Sequence, residues 1–273
     1  MKNIALLATL LLTFFVSSCE NIIDLELDKA PPKLVVEAAI NWSKGTLGNQ
    51  QIIKLTTTSG FYDQDIPVVS GATVYISNSS KVRFDFIELQ TTGKYSCTDF
   101  IPVLDETYTL TIITNGETYN ATEKLKSVAP ITRLEQDNEG GILGTEVEVK
   151  AFYTDPAAAD NYYLFLYTYS NKVISNYFVS SDKFYQGNEV FSSSNNGDLE
   201  IGDEVELKHI GISKEYYEYM SILINVAGGS SGGPFQSPPA TVRGNLINKT
   251  NFDNFALGYF SLSETDSRKY TIE

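Results

Sequence analysis

The segment 106-ETYTLTIITNGETYNA-121 decides the fold class of this chain. Its first half alternates threonines with apolar residues, at Tyr108, Leu110 and Ile112. This is the period-2 pattern of a half-buried antiparallel strand. Asn115-Gly116 follows, with β-branched residues before it and Glu-Thr-Tyr after it, which is a strong signal for a β-hairpin. The segment therefore predicts two antiparallel strands joined by a tight turn.

The same alternation recurs on the amino-terminal side of this hairpin. It is seen in 71-GATVYIS-77 and in 81-KVRFDFIEL-89, and turn residues such as Ser70-Gly71 and Thr92-Gly93 separate the runs. Short strands at this spacing favour a sandwich of roughly seven strands. We therefore predict an immunoglobulin/prealbumin-like β-sandwich domain over residues 33–127.

Val128-Ala129-Pro130 predicts a domain boundary, because strand patterns resume after it. Strands are expected in 146-EVEVKAFY-153, in 161-NYYLFLYTYS-170, in 205-VELKHI-210 and in a closing strand at 255–263. The second of these is apolar on both faces, as in a central strand covered on two sides. Ser213 is a candidate N-cap for a helix over about 214–226, and the glycine-rich run after it ends the helix. Residues 128–273 thus predict a second antiparallel β domain with one short helix.

The amino terminus has the features of an export signal. Lys2 precedes an apolar run over 4–16, which is too short to span a bilayer. The run ends in Val16-Ser17-Ser18-Cys19, which looks like a bacterial lipobox. We expect a lipoprotein signal peptide over 1–18, lipid attachment at Cys19, and a lipidated tether over 19–32. Alternation at 22–27 also fits an edge strand.

Composition narrows the function classes. The chain has 20 Lys and Arg against 34 Asp and Glu, a formal net charge of −14. Binding to a phosphate backbone is therefore not expected, and attachment to an anionic membrane would depend on the lipid. With Cys19 lipidated, Cys97 has no partner in the chain and is expected to be a small buried core residue. Cys and His alone cannot form a zinc site, since His209 is the single histidine.

Several segments in order resemble a known family. They are the tether after Cys19, GATVYI, ETYTLTI with GETYNA, DPAAADNYY, 181-SDKFYQGNEV-190, SKEYYEYM, GGPFQSPPATVRGNLIN and ALGYF. Together they resemble the Bacteroidetes lipoprotein family with domain of unknown function 4249. The resemblance implies a β-rich protein anchored to the outer membrane and often encoded beside TonB-dependent transporters. It implies no established chemistry.

Candidate catalytic groups are few. His209 shares a strand face with Val205 and Leu207, so a structural role is expected. The acidic residues of the turn at 198–206 offer oxygen ligands for calcium or a pair of carboxylates for a glycosidase; they are Asp198, Glu200, Asp203, Glu204 and Glu206. Asp63 and Asp65 form a second such pair. Solvated turns are the default for both clusters. The 17 Tyr and 15 Phe, beside the single Trp42, favour an aromatic-rich core over sugar-binding platforms.

These observations predict a lipid-anchored, non-enzymatic accessory or binding component that works with a TonB-dependent outer-membrane transporter. No cofactor or metal is expected. The alternatives are an envelope glycan or peptide hydrolase that uses the acidic residues, and a structural or adhesive surface lipoprotein. The loop after the helix is the candidate partner contact, because it combines mobile glycines with stiff apolar residues. Its candidate contact residues are Gly232, Gly233, Pro234, Phe235, Pro238 and Pro239. The cargo, and the choice between the cell surface and the periplasmic face, stay open.

Overall fold

The computed structural model of the protein describes residues 31–60, 63, 65–141, 143–194, 196–227 and 242–273. The strands in this part are β1 (Leu34–Ser43), β2 (Gln51–Thr57), β3 (Thr73–Asn78), β4 (Arg83–Glu88), β5 (Lys94–Cys97), β6 (Thr107–Thr114), β7 (Glu117–Lys124), β8 (Ile131–Gly140), β9 (Glu146–Thr154), β10 (Tyr162–Tyr169), β11 (Asn176–Ser181), β12 (Glu189–Ser193), β13 (Glu204–Ile212), β14 (Ile247–Asn248) and β15 (Leu257–Thr271). One α-helix, α1, spans Lys214–Ala227, and a 3-10 turn spans Asp182–Phe184. No helix in the described ranges is long and apolar enough to cross a membrane. The described part of the chain is mostly β with one short helix, as predicted.

The predicted hairpin is confirmed as β6 and β7. The two strands pair antiparallel, and Thr114 lies opposite Glu117. Asn115 and Gly116 form the connection with φ angles of 51° and 76°. Positive φ at both central residues defines a type I′ turn, whose twist matches that of the flanking strands. The alternation is also confirmed, since Tyr108, Leu110 and Ile112 are fully buried.

The first sandwich is built from β1 to β7 with the short β14 at one edge. Strand β4 belongs to both of its layers: Phe84 and Phe86 lie opposite β3, whereas Ile87 and Glu88 lie opposite β5. The layers β1-β2-β5 and β3-β6-β7-β14 therefore face each other across one core. That core is apolar and aromatic, and its largest fully buried members include Ile40, Leu55, Ile76, Tyr95, Phe100 and Tyr108.

The second sandwich places the three-stranded sheet β12-β9-β8 against β11-β10-β13. Its core is rich in tyrosine, with Tyr153, Tyr163, Tyr167 and Tyr169 buried. The opposite face of β10 is covered by α1, where Leu164 packs with Ile210 and Met220. Strand β10 is therefore covered on both sides, as its two apolar faces predict.

Helix α1 begins where the sequence predicts. The Ser213 hydroxyl oxygen accepts a hydrogen bond from the Tyr216 N–H at 3.2 Å, which satisfies one of the unpaired donors of the first turn. The same hydroxyl donates to a carboxylate oxygen of Glu123 at 3.1 Å. Because Glu123 lies on β7, the start of the helix is also fixed to the first sandwich.

Strand β15 joins the two sandwiches. Its first part, from Leu257 to Thr265, pairs in parallel with β1, and its end, from Thr265 to Thr271, pairs antiparallel with β13. The buried side chains Phe260 and Leu262 of β15 lie in the first core, whereas Ile272, directly after the strand, lies in the second. This differs from the closing strand of the second domain that the sequence predicts at 255–263. Local patterning cannot reveal a partner that is more than 200 residues away.

The connection between β7 and β8 is bound to β15. The Val128 N–H donates to the Glu264 carboxylate at 3.0 Å, and the Ile131 N–H donates to the Asp266 carboxylate at 2.8 Å. Both carboxylates are buried and receive a cation as well, from Lys44 at 2.7 Å and from Arg268 at 2.6 Å. The predicted boundary near 128 thus separates two buried clusters while the backbone there is hydrogen-bonded to a shared strand.

Gly211 of β13 allows the connection between β7 and β8 to cross this strand closely. A Cβ atom at Gly211 would collide with the Ser127 carbonyl oxygen, which is backbone and cannot move aside. We expect Gly211→Ala to lower the free energy of unfolding by about 3 kcal/mol, as strong overpacking does. The measurement is urea denaturation followed by fluorescence.

The matched control is Gly45→Ala, because Gly45 has a φ of 78° and no neighbouring atom near its Cβ position. It should cost only the penalty for the left-handed conformation, about 1 kcal/mol. Equal losses at the two positions would contradict the close crossing.

Candidate functional site

A cavity of about 1070 Å³ lies in the second sandwich, between its two sheets. Strands β11 and β12 border it, and each is the last strand of its sheet. The volume is just above the range of about 300–1,000 Å³ that is usual for small-ligand sites. Most of the side chains that line it are aromatic rings, hydroxyls or carboxylates, and Leu143 and Val190 are aliphatic.

The aromatic group forms the inner wall. Tyr153 of β9 and Phe165 of β10 are both buried, with ring centroids 5.8 Å apart. Phe178, Tyr185 and Phe191 continue the aromatic surface toward the outside. At the mouth, Leu143 is 82% exposed and Phe191 is 50% exposed. Two exposed apolar side chains therefore lie at the edge of the cavity.

His209 lies directly behind this wall. Its ring stacks on Phe165 at 4.7 Å and packs against Tyr153 at 4.5 Å and Tyr163 at 4.7 Å. It is fully buried, and neither ring nitrogen has a partner with hydrogen-bond geometry among the described residues. Burial lowers its pKa to about 3, and the Ala129 backbone acts in the opposite direction. His209 is therefore a neutral core ring, which confirms its expected structural role.

The hydroxyl group supplies neutral polar contacts. The Tyr153 hydroxyl donates to that of Tyr185 at 3.2 Å, and the Tyr185 and Ser180 hydroxyls share a hydrogen bond of 2.8 Å. Burial raises the pKa of Tyr153 and of Tyr185 above the ordinary value. Both phenols therefore stay protonated at neutral pH. The Tyr153 O–H is used by Tyr185, whereas the Tyr185 hydroxyl can donate to a ligand when Ser180 donates to it.

The carboxylate group comprises Glu146, Glu148 and Glu189. Arg133 pairs with Glu189 at 2.6 Å and with Glu135 at 2.7 Å, and it lies 3.6 Å above the Phe152 ring. One oxygen of Glu148 accepts the Gly141 N–H at 2.9 Å. Glu146 and Glu148 form no ion pair with any described residue. The mouth of the cavity is therefore negatively charged.

The acidic turn at 198–206 lies outside this cavity. The Asp203 carboxylate accepts hydrogen bonds from Ser170 at 3.2 Å, from Asn171 at 3.1 Å and from the Glu200 N–H at 3.0 Å. Asp198 is exposed and pairs with Lys172. These contacts hold the turn in place. In the described residues, no three His, Cys, Asp or Glu side chains lie close enough to hold a metal ion.

The remaining predicted residues lie elsewhere. Cys97 is buried in the first core, as expected, and burial raises its pKa to about 11. Trp42 packs against that core. The lipid attachment residue Cys19 and the proposed partner contact lie outside the described residues; that contact comprises Gly232, Gly233, Pro234, Phe235, Pro238 and Pro239.

Sequence reasoning missed the cavity. Its wall contains aromatic residues whose spacing is that of ordinary core strands, so nothing local separates Tyr153 or Phe165 from core residues. The segment at 189–194, EVFSSS, lacks the clear alternation of the other strands. A short strand without a regular apolar face is the one signal that could have indicated an edge.

The fold and the cavity define a class: a β protein of two joined sandwiches with an aromatic-walled, ligand-sized cavity in the second. The chain belongs to the family described as domain of unknown function DUF4249, whose family model matches residues 20–269. This confirms the resemblance of the ordered motifs to that family. No curated protein matches the chain.

Two solved structures show a distant similarity. One is a segment of two fibronectin type III domains from chicken tenascin, 12% identical over 66% of this chain and 90% of that one, with a TM-score of 0.22. The other is a DUF4785 family protein from Legionella pneumophila, 6% identical over 65% of this chain and 52% of that one, with a TM-score of 0.26. Similarities at this level carry no argument about function.

The burial of His209 predicts a pH dependence of stability. Its pKa is about 3 in the folded chain, against an ordinary value of 6.5. Below pH 6.5 the unfolded chain binds a proton that the folded chain rejects, so stability is lost as the pH falls from 6.5 toward 3. The loss approaches about 1.4 kcal/mol per pH unit.

His209→Phe keeps an aromatic ring and removes the titrating group, so it should remove this loss. The measurement is urea denaturation of both proteins between pH 4 and pH 7.5. The difference between their unfolding free energies should grow in favour of the variant as the pH falls. A constant difference would show that His209 titrates normally in the folded chain.

Proposed function

We propose that this protein is a non-enzymatic binding component of the cell envelope, held to the outer membrane by lipid at Cys19 and working with a TonB-dependent transporter. The observation that carries the binding role is the cavity between β11 and β12. The anchor and the transporter are supported by the lipobox pattern at 16–19 and by the neighbours that the family resemblance implies.

The chemistry of the cavity supports binding over catalysis. Nucleophilic catalysis needs a nucleophile with a base beside it. The Ser194 hydroxyl accepts the Val149 N–H at 2.9 Å, and the Ser192 hydroxyl accepts the Tyr167 hydroxyl at 3.0 Å. His209 is neutral and lies behind the aromatic wall. Among the described residues that line the cavity, no serine has a histidine beside it.

The hydrolase alternative receives less support. It relies on the acidic turn at 198–206, where the Asp203 carboxylate accepts three hydrogen bonds that define the turn. A carboxylate used in this way is poorly placed to act as an acid or a nucleophile. The turn also lies away from the cavity that could hold a substrate.

In the proposed mechanism, the lipid at Cys19 keeps the body at the membrane. The cavity captures cargo or a segment of the transporter, and aromatic contact area supplies most of the affinity. The loop at 228–239 remains the proposed second contact with the transporter. Neither step requires a cofactor.

Purification from gently solubilised outer membranes tests this function. We expect the protein to elute with a transporter in near-equal amounts, identified by mass spectrometry. Cys19→Ala should leave unprocessed precursor and abolish labelling by a fatty-acid probe. A protein that elutes alone and hydrolyses envelope glycans or peptides would contradict the proposal, particularly if Asp203→Asn removed that activity.

A further inference from the structure

The backbone of β12 points alternately toward and away from β9. The Ser194 N–H donates to the Val149 carbonyl at 3.0 Å, and the Asp155 N–H donates to the Asn188 carbonyl at 3.0 Å. In an antiparallel pair, every second residue bonds to the partner strand and the residues between point to the other side. The N–H and C=O groups of Glu189, Phe191 and Ser193 therefore point away from β9.

The cavity runs along this free side. All six residues from 189 to 194 line it. Side chains on one face of a strand would contribute only every second residue, so an unbroken run indicates contact with the edge. The same holds for Phe178, Val179 and Ser180 of β11. The Val179 side chain packs toward α1, so Val179 borders the cavity through its backbone.

Edge strands with free backbone groups are templates for an additional strand, and proteins usually protect them with charges, proline or bulges. Strand β12 has little such protection. Its one charged residue, Glu189, lies at the start and is paired with Arg133. The remainder is apolar or small, and no described strand pairs with its free side.

We propose that the cavity binds an extended, basic peptide segment of a partner protein, which adds to β12 as a fourth strand of the sheet β8-β9-β12. This inference rests on the proposed binding function and names its ligand class. Backbone hydrogen bonds to Glu189, Phe191 and Ser193 would hold the segment, as in other cases of strand addition. Alternate side chains would point toward the aromatic wall.

The negative charge of the cavity favours a basic segment as its ligand. Glu146 and Glu148 line the cavity without ion pairs in the described part of the chain, and the nearby Lys150 is bound by Asp137. A segment in which Lys or Arg alternates with apolar residues would match both the carboxylates and the aromatic wall. The acidic segment 20-ENIIDLELD-28 of this chain has strand-like alternation but the wrong charge.

The test uses a fluorescein-labelled nine-residue peptide in which valine alternates with lysine and threonine, and its binding is measured by anisotropy. Ser193→Pro removes an outward N–H without removing a bond to β9, since proline is tolerated on strand edges. We expect it to weaken binding at least about tenfold, as expected for a lost hydrogen bond and a steric block. The matched control Ser193→Ala keeps the N–H and should bind within about twofold of the wild type.

Two further comparisons test the backbone and the charge. N-methylation of alternate residues on the side of the peptide that pairs should abolish binding to the wild-type protein, whereas methylation of the other residues should not. The comparison of the two N-methylated peptides tests the proposal even if Ser193→Pro fails to fold. The double variant Glu146→Gln and Glu148→Gln should weaken binding of the lysine peptide several-fold and reduce its dependence on salt.

Several outcomes would overturn the proposal. The lysine peptide could fail to bind, a glutamate analogue could bind equally well, or the 20–28 peptide could bind more tightly. Binding that is insensitive to Ser193→Pro in a folded protein, or a dimer that Ser193→Pro dissociates, would have the same consequence. Binding of envelope oligosaccharides in its place would also overturn it. None of these results affects co-purification with a transporter, so failure of the peptide ligand is distinguishable from failure of the proposed function.

Discussion

The structure depends on one strand, β15, that belongs to both sandwiches. With 15 residues it is about 50 Å long, enough to pair with β1 along one part and with β13 along the other. The connection at 126–131 lies beside it, held by the buried carboxylates of Glu264 and Asp266. Buried charges are stable only when paired and hydrogen-bonded, and each carboxylate here has both a cation and a backbone N–H. The two sandwiches are therefore joined by hydrogen bonds of a common strand in addition to side-chain packing.

This joint, formed by β15 and the connection at 126–131, explains where the cavity lies. One wall extends from β15 through β13 and β10 to β11, and the other extends from β8 through β9 to β12. The second wall is fixed near the joint, because Ile131 binds Asp266 and because Gln136 exchanges two hydrogen bonds of 2.9 Å with the Glu273 backbone. Both sheets thus start at the joint and end at the cavity. The site forms where they end, between two strands that have no further neighbour in the described chain.

Local features were predictable from the sequence and long-range ones were not. The Asn115-Gly116 hairpin, the Ser213 cap and the burial of Cys97 and His209 follow from turn chemistry, capping and alternation, which act over a few residues. The parallel pairing of β1 with β15 joins residues more than 200 positions apart. The sequence patterns of these two strands do not differ from those of antiparallel strands. The cavity was missed for the same reason: Tyr153 and Phe165 have the spacing of core residues, and they line a cavity only because β11 and β12 end their sheets.

Native-state hydrogen exchange at increasing urea concentrations tests most directly whether β15 makes one cooperative unit of the two sandwiches. The slowest amides of β1 and β13 report on the two sandwiches separately. If the shared strand couples them, both sets should exchange with the same opening free energy and the same dependence on urea. A smaller opening free energy for β13, with a weaker dependence on urea, would show that the second sandwich unfolds alone and would contradict the account.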